Sequence, residues 1–344
     1  MAKKKVSKKN QKKLTSLAVG IIVVILVAIF GGGGAAGLFD GLGISIPGFG
    51  GSTHSGPSST LITDESAFSM HVINIGQGDA ILLSKDGKYA MVDAGKSTQK
   101  DDVDSSAAIT GYLDSLGVKK LEFLLVTHQD YDHIGSAKTV LSEYKVGTFY
   151  DNGFEHTSAT YEKLMQYIDD NNIAYKVVYA RKTIDSPWDG VTINVLSPDK
   201  DLTSDVNENS IVLKITYGDV SYVLTGDATT ATEDYILSTG ADISADVLKV
   251  GHHGSYSSSS DAFLKKVNPG TYVMSVGGGN EYGHPHKDAL KRLIKYSNIL
   301  YRTDIDGTIV VSTDGKSYSV QTENGLSNDA AREFVTGDGK KVSA

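Results

Sequence analysis

Four apolar runs in the sequence lead into the same kind of residue. "YAMVDAG" carries Asp93, "LEFLLVT" is followed by His128, Asp130, Asp132 and His133, "SYVLTGDA" carries Asp227, and "DVLKVGHH" ends on His252 and His253. Short runs rich in Val, Leu and Ile, bounded by Gly, Asp or Asn, read as buried strands. Strands that finish along one edge bring their last residues together. The chain is thereby held to a fold that collects strand ends on one side.

The rest of the body agrees. "FSMHVINIG", "DAILLSKDGKYAMVDAG" and "SIVLKITYGDVSYVLTGDA" read as strand meanders, with Asp86-Gly87 and Gly218-Asp219 as hairpin turns. "SSAAITGYLDSLG", "SATYEKLMQYIDDNN" and "TTATEDYILSTG" have helical spacing, with Ser or Thr at their starts and Gly or Asn near their ends. Meanders alternating with helices in two similar halves predict an α/β sandwich of two sheets with helices outside, over residues 66–321.

Residues 1–13, "MAKKKVSKKNQKK", carry seven Lys and no acid, and uncharged, mostly apolar residues continue from Leu14 to Phe30. A membrane span needs about twenty such residues. The lysines favour a cytoplasmic N-terminus, so the chain beyond Phe30 is expected outside. Uncleaved, the 14–30 helix is a signal anchor and the chain a single-pass membrane protein with an extracytoplasmic domain. Cleaved near Ala35 and Ala36, it is a signal peptide and the domain is secreted. Residues 31–65, rich in Gly and Ser, read as a flexible linker, and 322–344 as a flexible tail.

Charge and cysteine content narrow the chemistry. The net charge is -8, so outside the lysine-rich start the chain carries about -15, which argues against a high-affinity nucleic-acid surface built on basic residues. There is no cysteine, so disulfides and thiolate metal sites are excluded and any metal must be held by His and carboxylate. In "THQDYDH", two histidines and two aspartates crowd into six positions. A turn after a strand can aim alternate residues of such a cluster at one divalent ion and the last two at its neighbour. A solvated acidic turn is the plainer alternative. It leaves the added presence of Asp227 and His252 unexplained.

The H-x-D-x-D-H cluster with Ile134-Gly135, the strand-end Asp93, "TGDA" and "GHHGS" resemble the metallo-β-lactamase superfamily. More closely, "NIGQGDAILL", "THQDYDHIGS", "NENSIVLKI", "VLTGDA", "DVLKVGHHGS" and "YGHPH" are similar to the hydrolase domain of the ComEC DNA-uptake proteins, over about Phe68 to Val320. The resemblance implies an αββα sandwich with two divalent metal ions at one edge. His128 and Asp130 would face the first ion, Asp132 and His133 the second, Asp227 would bridge them and His252 would complete the second site. His253 is the less favoured neighbour, and Asp93 would orient ligands without binding metal. The superfamily commonly has a further His where this chain reads "DVNENS", with Asn207 and Asn209, and Asp130 stands where many relatives have His. The first site is therefore oxygen-rich, which manganese tolerates, and the two divalent ions are expected to be zinc or manganese.

Two such ions would draw a proton from a bridging water near neutral pH, with Asp132 to orient the hydroxide. His284 and His286 of "GGGNEYGHPH" stand where a phosphate or leaving group needs a donor; a Pro-stiffened loop whose histidines serve packing is the plainer alternative for these two. The substrate class that the resemblance implies is a phosphodiester in DNA or nucleotides, cleaved by a membrane-tethered relative of the ComEC domain without its channel-forming part. A lactone, lactam or thioester hydrolase is the alternative within the superfamily, and a non-catalytic ligand-binding module of the envelope is the alternative outside enzymes. The sequence points to no protein partner.

Overall fold

The computed structural model describes residue 61 and residues 64–96, 105–325 and 334–342. The expected basic segment, the helix 14–30 and the linker as far as residue 60 lie outside the described residues. Among the described residues no helix is long and apolar enough to cross a membrane.

The body holds β1 (Phe68–Val72), β2 (Ala80–Lys85), β3 (Lys88–Ala94), β4 (Lys120–Leu125), β5 (Lys145–Asp151), β6 (Ala174–Val177), β7 (Thr183–Ile184) and β8 (Val191–Ser197). It continues with β9 (Val212–Tyr217), β10 (Val220–Leu224), β11 (Val247–Lys249), β12 (Thr271–Met274), β13 (Leu300–Arg302), β14 (Ile309–Thr313) and β15 (Tyr318–Thr322). One sheet has the order β15-β14-β1-β2-β3-β4-β5-β6, the other β13-β12-β11-β10-β9-β8-β7. Both expected hairpin turns are present, and Asp86 and Gly87 both take positive φ (51° and 68°), as a two-residue turn matched to strand twist requires.

Alternation along the strands explains the layers. Phe68, Met70, Ile81, Leu83, Val92 and Leu125 of the first sheet meet Leu213, Tyr222, Leu224 and Val273 of the second in one buried core. The intervening Leu82, Met91 and Leu124 point to the other face, where Ile109, Leu113, Val140 and Leu164 of the helices Ser105–Ser115, Ala137–Glu143 and Ala159–Asp170 cover them. Val223, Leu248 and Tyr272 are covered in the same way by Ile236, Phe263, Leu264 and Leu290 of Thr230–Ser238, Asp261–Val267 and Lys287–Leu293. The fold is an αββα sandwich. The helix caps are local: Ser158 accepts from Tyr161 N and Ser260 from Phe263 N.

The tail requires a correction. Residues 334–342, expected to be flexible, include a hairpin of β16 (Phe334–Val335) and β17 (Lys341–Val342), and Phe334 and Val342 are buried in the outer core of the second sheet. Two-residue strands are too short to show a period, so an apolar residue at each end is their whole signal.

Candidate metal centre

β3, β4 and β5 run parallel, as do β10, β11 and β12. Their carboxyl ends deliver Asp93, the segment Thr127–His133, Asp227, His252 and His253, and Ser275. Three of these residues, Asp93 (φ 60°), His252 (48°) and His253 (53°), hold left-handed backbone, which costs a non-glycine residue free energy and clusters at functional sites.

Asp93 is fully buried. Its carboxylate accepts from Thr127 N at 2.7 Å and Thr127 Oγ1 at 2.8 Å, fixing the start of the loop, and from His133 Nδ1 at 2.8 Å. Because the carboxylate can only accept, the hydrogen of His133 sits on Nδ1 and its other nitrogen, Nε2, presents a lone pair. That nitrogen is 3.2 Å from Asp227 Oδ1. His253 is set in the same manner: Nδ1 donates to the Ser275 carbonyl at 3.0 Å, and Nε2 lies 3.4 Å from Asp132 Oδ2 and 3.5 Å from Asp227 Oδ1. Lone pairs thus face carboxylate oxygens, which is repulsive unless a cation lies between them.

The structure groups His253, not His252, with Asp132, His133 and Asp227, whose ligand atoms lie within 4.8 Å of one another. The sequence favoured His252 for this place, and the geometry adds His253 as a candidate beside it. Both histidines have positive φ, so strand alternation does not continue through them and cannot say which one faces inward. His252 instead lies beside the other oxygen of Asp227, with Nε2 3.6 Å from Oδ2.

His128 is fully buried, its Nε2 3.7 Å from Asp130 Oδ2, and the Asp130 side chain is 42 % exposed at the rim. Asn209 is committed elsewhere, with its amide exchanging two hydrogen bonds with the Thr203 backbone. Asn207 Oδ1 is buried without a hydrogen-bond partner.

The fit to metal rests on atoms left without partners. His128 Nε2, His133 Nε2, His253 Nε2 and Asp227 Oδ1 are all buried and unbonded. Buried polar atoms are nearly always paired, and imidazole with carboxylate is a donor set for divalent first-row ions. Without metal, protons must fill the gap. Burial opposes charge on His133, but Asp227 and Asp93 outweigh it and hold its pKa well above the usual value. Burial likewise opposes charge on Asp227, yet His253, His133 and His252 keep its pKa well below the usual carboxylate range.

Three residues here escaped the sequence expectations. Asp79 and Lys249 form a fully buried ion pair at 2.8 Å, and Asp79 Oδ1 lies 3.5 Å from His253 Nδ1. Asp79, Asp93 and His133 also lie close together, but Asp93 is occupied by Thr127 and Asp79 by Lys249, so they support the site and do not form a second one. Gln77 accepts from Gly277 N across the two halves of the sandwich. A signal existed: Lys249 is a lone charge in the apolar run "VLKVG". The neighbouring Gly78 has φ +133° and lies so close that a Cβ would stand 2.5 Å from the Asp132 carbonyl.

The two remaining expected residues flank the centre. His284 is buried, and burial together with His253 and His252 pushes its pKa down to about 3. It is a neutral imidazole at physiological pH. His286 accepts from Tyr256 N at its Nδ1 and donates its own backbone N–H to the Gly254 carbonyl, tying its loop to the "GHHGS" turn. That turn is pinned from below by Glu233, which accepts from Ser259 N and Ser260 N and whose pKa burial raises to about 7.

Comparison with known proteins agrees with this geometry. The chain is similar to ComE operon protein 3 of Bacillus subtilis (strain 168), with 32 % identity over 69 % of the chain and 32 % of that protein. It is 30 % identical to Recombination protein 2 of Haemophilus influenzae, over 70 % of the chain and 28 % of that protein. It is 28 % identical to Competence protein ComA of Neisseria gonorrhoeae, over 71 % of the chain and 32 % of that protein. The chain therefore spans about a third of the length of these curated relatives. The family model for the metallo-beta-lactamase superfamily matches residues 73–278, from the end of β1 through the turn after β12. The chain belongs to the metallo-beta-lactamase superfamily.

Proposed function

We propose that this protein is a metal-dependent phosphodiesterase acting on DNA or nucleotides, held at the outer face of a membrane by residues 14–30. The observation that carries the proposal is the convergence of three unbonded imidazole nitrogens and one carboxylate oxygen at an edge that is rich in further acids. The kinship with competence and recombination proteins supports a nucleic-acid substrate.

His128 and Asp130 would hold one ion, Asp132, His133 and His253 a second, and Asp227 would contact both, with manganese or zinc as the candidates. Such ions supply Lewis acidity and, at neutral pH, a nucleophile drawn from water. The chain's own groups do the rest. Asp93 and the Ser275 carbonyl fix the tautomers of His133 and His253, so both Nε2 atoms stay available. Asp132 orients the attacking group. His284, neutral and 5 % exposed, donates a hydrogen bond to a phosphoryl oxygen and does not deliver a proton already held as charge.

The test is hydrolysis of methyl p-nitrophenyl phosphate and a short DNA strand by the full chain, stripped of metal and then reloaded with manganese or zinc, beside Asp132→Ala. Turnover that returns with one ion and is lost in the variant supports the proposal. Tight metal binding without phosphodiester turnover transfers the assignment to a lactone, lactam or thioester. Fractionation of cells expressing the full chain, beside one lacking residues 14–30, tests the anchor.

A further inference from the structure

A continuous line of aromatic rings leads out of the metal centre. The His284 ring lies 6.3 Å from His253 at an interplanar angle of 29°, and 5.7 Å from His252. From His284 the line branches to Tyr282, stacked at 5.6 Å and 22°, and to His286 at 4.7 Å, which lies 5.1 Å from Tyr256. The outermost rings face solvent: Tyr256 is 65 % exposed and Tyr282 50 %. Exposed aromatics scattered over a surface need no explanation, but these flank the two turns that carry the histidines.

The platform is held rigid. Arg292 donates to the carbonyls of Tyr256, Ser258 and Ser259, and Asn280 bonds Gly277 O, His284 O and His284 N across its own loop. With the backbone of both turns tied down, only side-chain torsions are left to fix when a flat ligand stacks on the rings. The segments 251–260 and 277–286 contain no Lys or Arg, and the Lys96 ammonium stands 6.0 Å from the Tyr282 ring. The two turns therefore offer flanking phosphates no basic side chain of their own, and Arg292 beside them is spent on three backbone carbonyls. Base–aromatic stacking is the known substitute, and it needs a base free of its partner.

We infer that Tyr256, His286 and Tyr282 form a stacking subsite for unpaired nucleobases next to the metal centre, so that the preferred substrate is single-stranded nucleic acid. The inference rests on the phosphodiesterase assignment and adds the strandedness of the substrate and the residues that select it. Steady-state kinetics of the metal-loaded full chain test it. The substrates are a single-stranded oligonucleotide, the same strand with abasic sites, its duplex, and methyl p-nitrophenyl phosphate; the variants are Tyr256→Ala, Tyr282→Ala and the corresponding Phe changes. The expected result is a roughly 5- to 100-fold higher KM for the normal strand in each Ala variant, with kcat and the small diester unaffected, Phe restoring the KM, and no Ala effect on the abasic strand. An unchanged KM in both Ala variants, or wild-type preference for the duplex or abasic strand, overturns the subsite while turnover of the small diester leaves the phosphodiesterase standing. No turnover of any phosphodiester with either ion overturns both.

Discussion

His71 and His133 are both fully buried, yet they sit in opposite chemical situations. On the outer face of β1, both nitrogens of His71 are satisfied, by Tyr112 Oη at 2.8 Å and Ser84 Oγ at 2.9 Å, and burial lowers its pKa to about 3. At the sheet edge, one nitrogen of His133 is fixed by Asp93 and the other faces Asp227 unbonded, and its pKa moves the other way. Burial does not distinguish a functional histidine from a structural one. An uncompleted set of hydrogen bonds does, because the folded chain holds it open at a cost that only a ligand or a proton offsets.

Substitutions should separate the two regions. Asp227→Ala has the largest expected effect: metal affinity falls by more than the ~100-fold typical of losing an outer partner, and turnover disappears, whereas His71→Gln retains both. Metal content and activity measured side by side decide it, and a metal-replete Asp227→Ala protein would refute the site. Lys249→Met leaves Asp79 charged in the interior without its ion-pair partner, with an expected loss of about 3–5 kcal/mol in urea unfolding. Equal stability to wild type would mean that Asp79 finds another partner. Asp93→Asn should weaken metal binding by roughly 10- to 100-fold in a folded protein, since the amide no longer dictates the His133 tautomer. Titration with manganese or zinc while monitoring circular dichroism distinguishes this from unfolding.

The smallest expected effect is a pH dependence at His71. Its folded pKa, about 3, lies below the unfolded value near 6.5, so its contribution to stability is present above pH 6.5 and is lost as pH falls toward 3. Between pH 6.5 and 5 the stability advantage of wild type over His71→Gln should shrink by about 2 kcal/mol. Parallel pH profiles for the two proteins would show that His71 does not titrate in this way.

Much of the sandwich could be read from residues alone because its rules are local. Asp86-Gly87 needs positive φ, and Leu82 between Ile81 and Leu83 must face the opposite side of the sheet. Asp93, His128, Asp132, His133 and Asp227 stood out for the same reason, as polar residues where apolar strands end. What stayed hidden depends on backbone or distance. The choice between His252 and His253 turns on two successive left-handed residues, and the Asp79–Lys249 pair joins positions 170 residues apart. The hairpin around Phe334 declares itself only through the core it reaches.

The pairing of β1 with β14, Phe68 opposite Thr313, has a consequence for how the molecule is made. A chain emerging from a ribosome or translocase in order must keep one edge of β1 uncovered until nearly the whole body has appeared, and an open strand edge is a template for aggregation. Every residue of the metal centre, from Asp79 to His284, emerges before Ile309. A nascent chain stalled there would own a full set of ligands and an unfinished sheet.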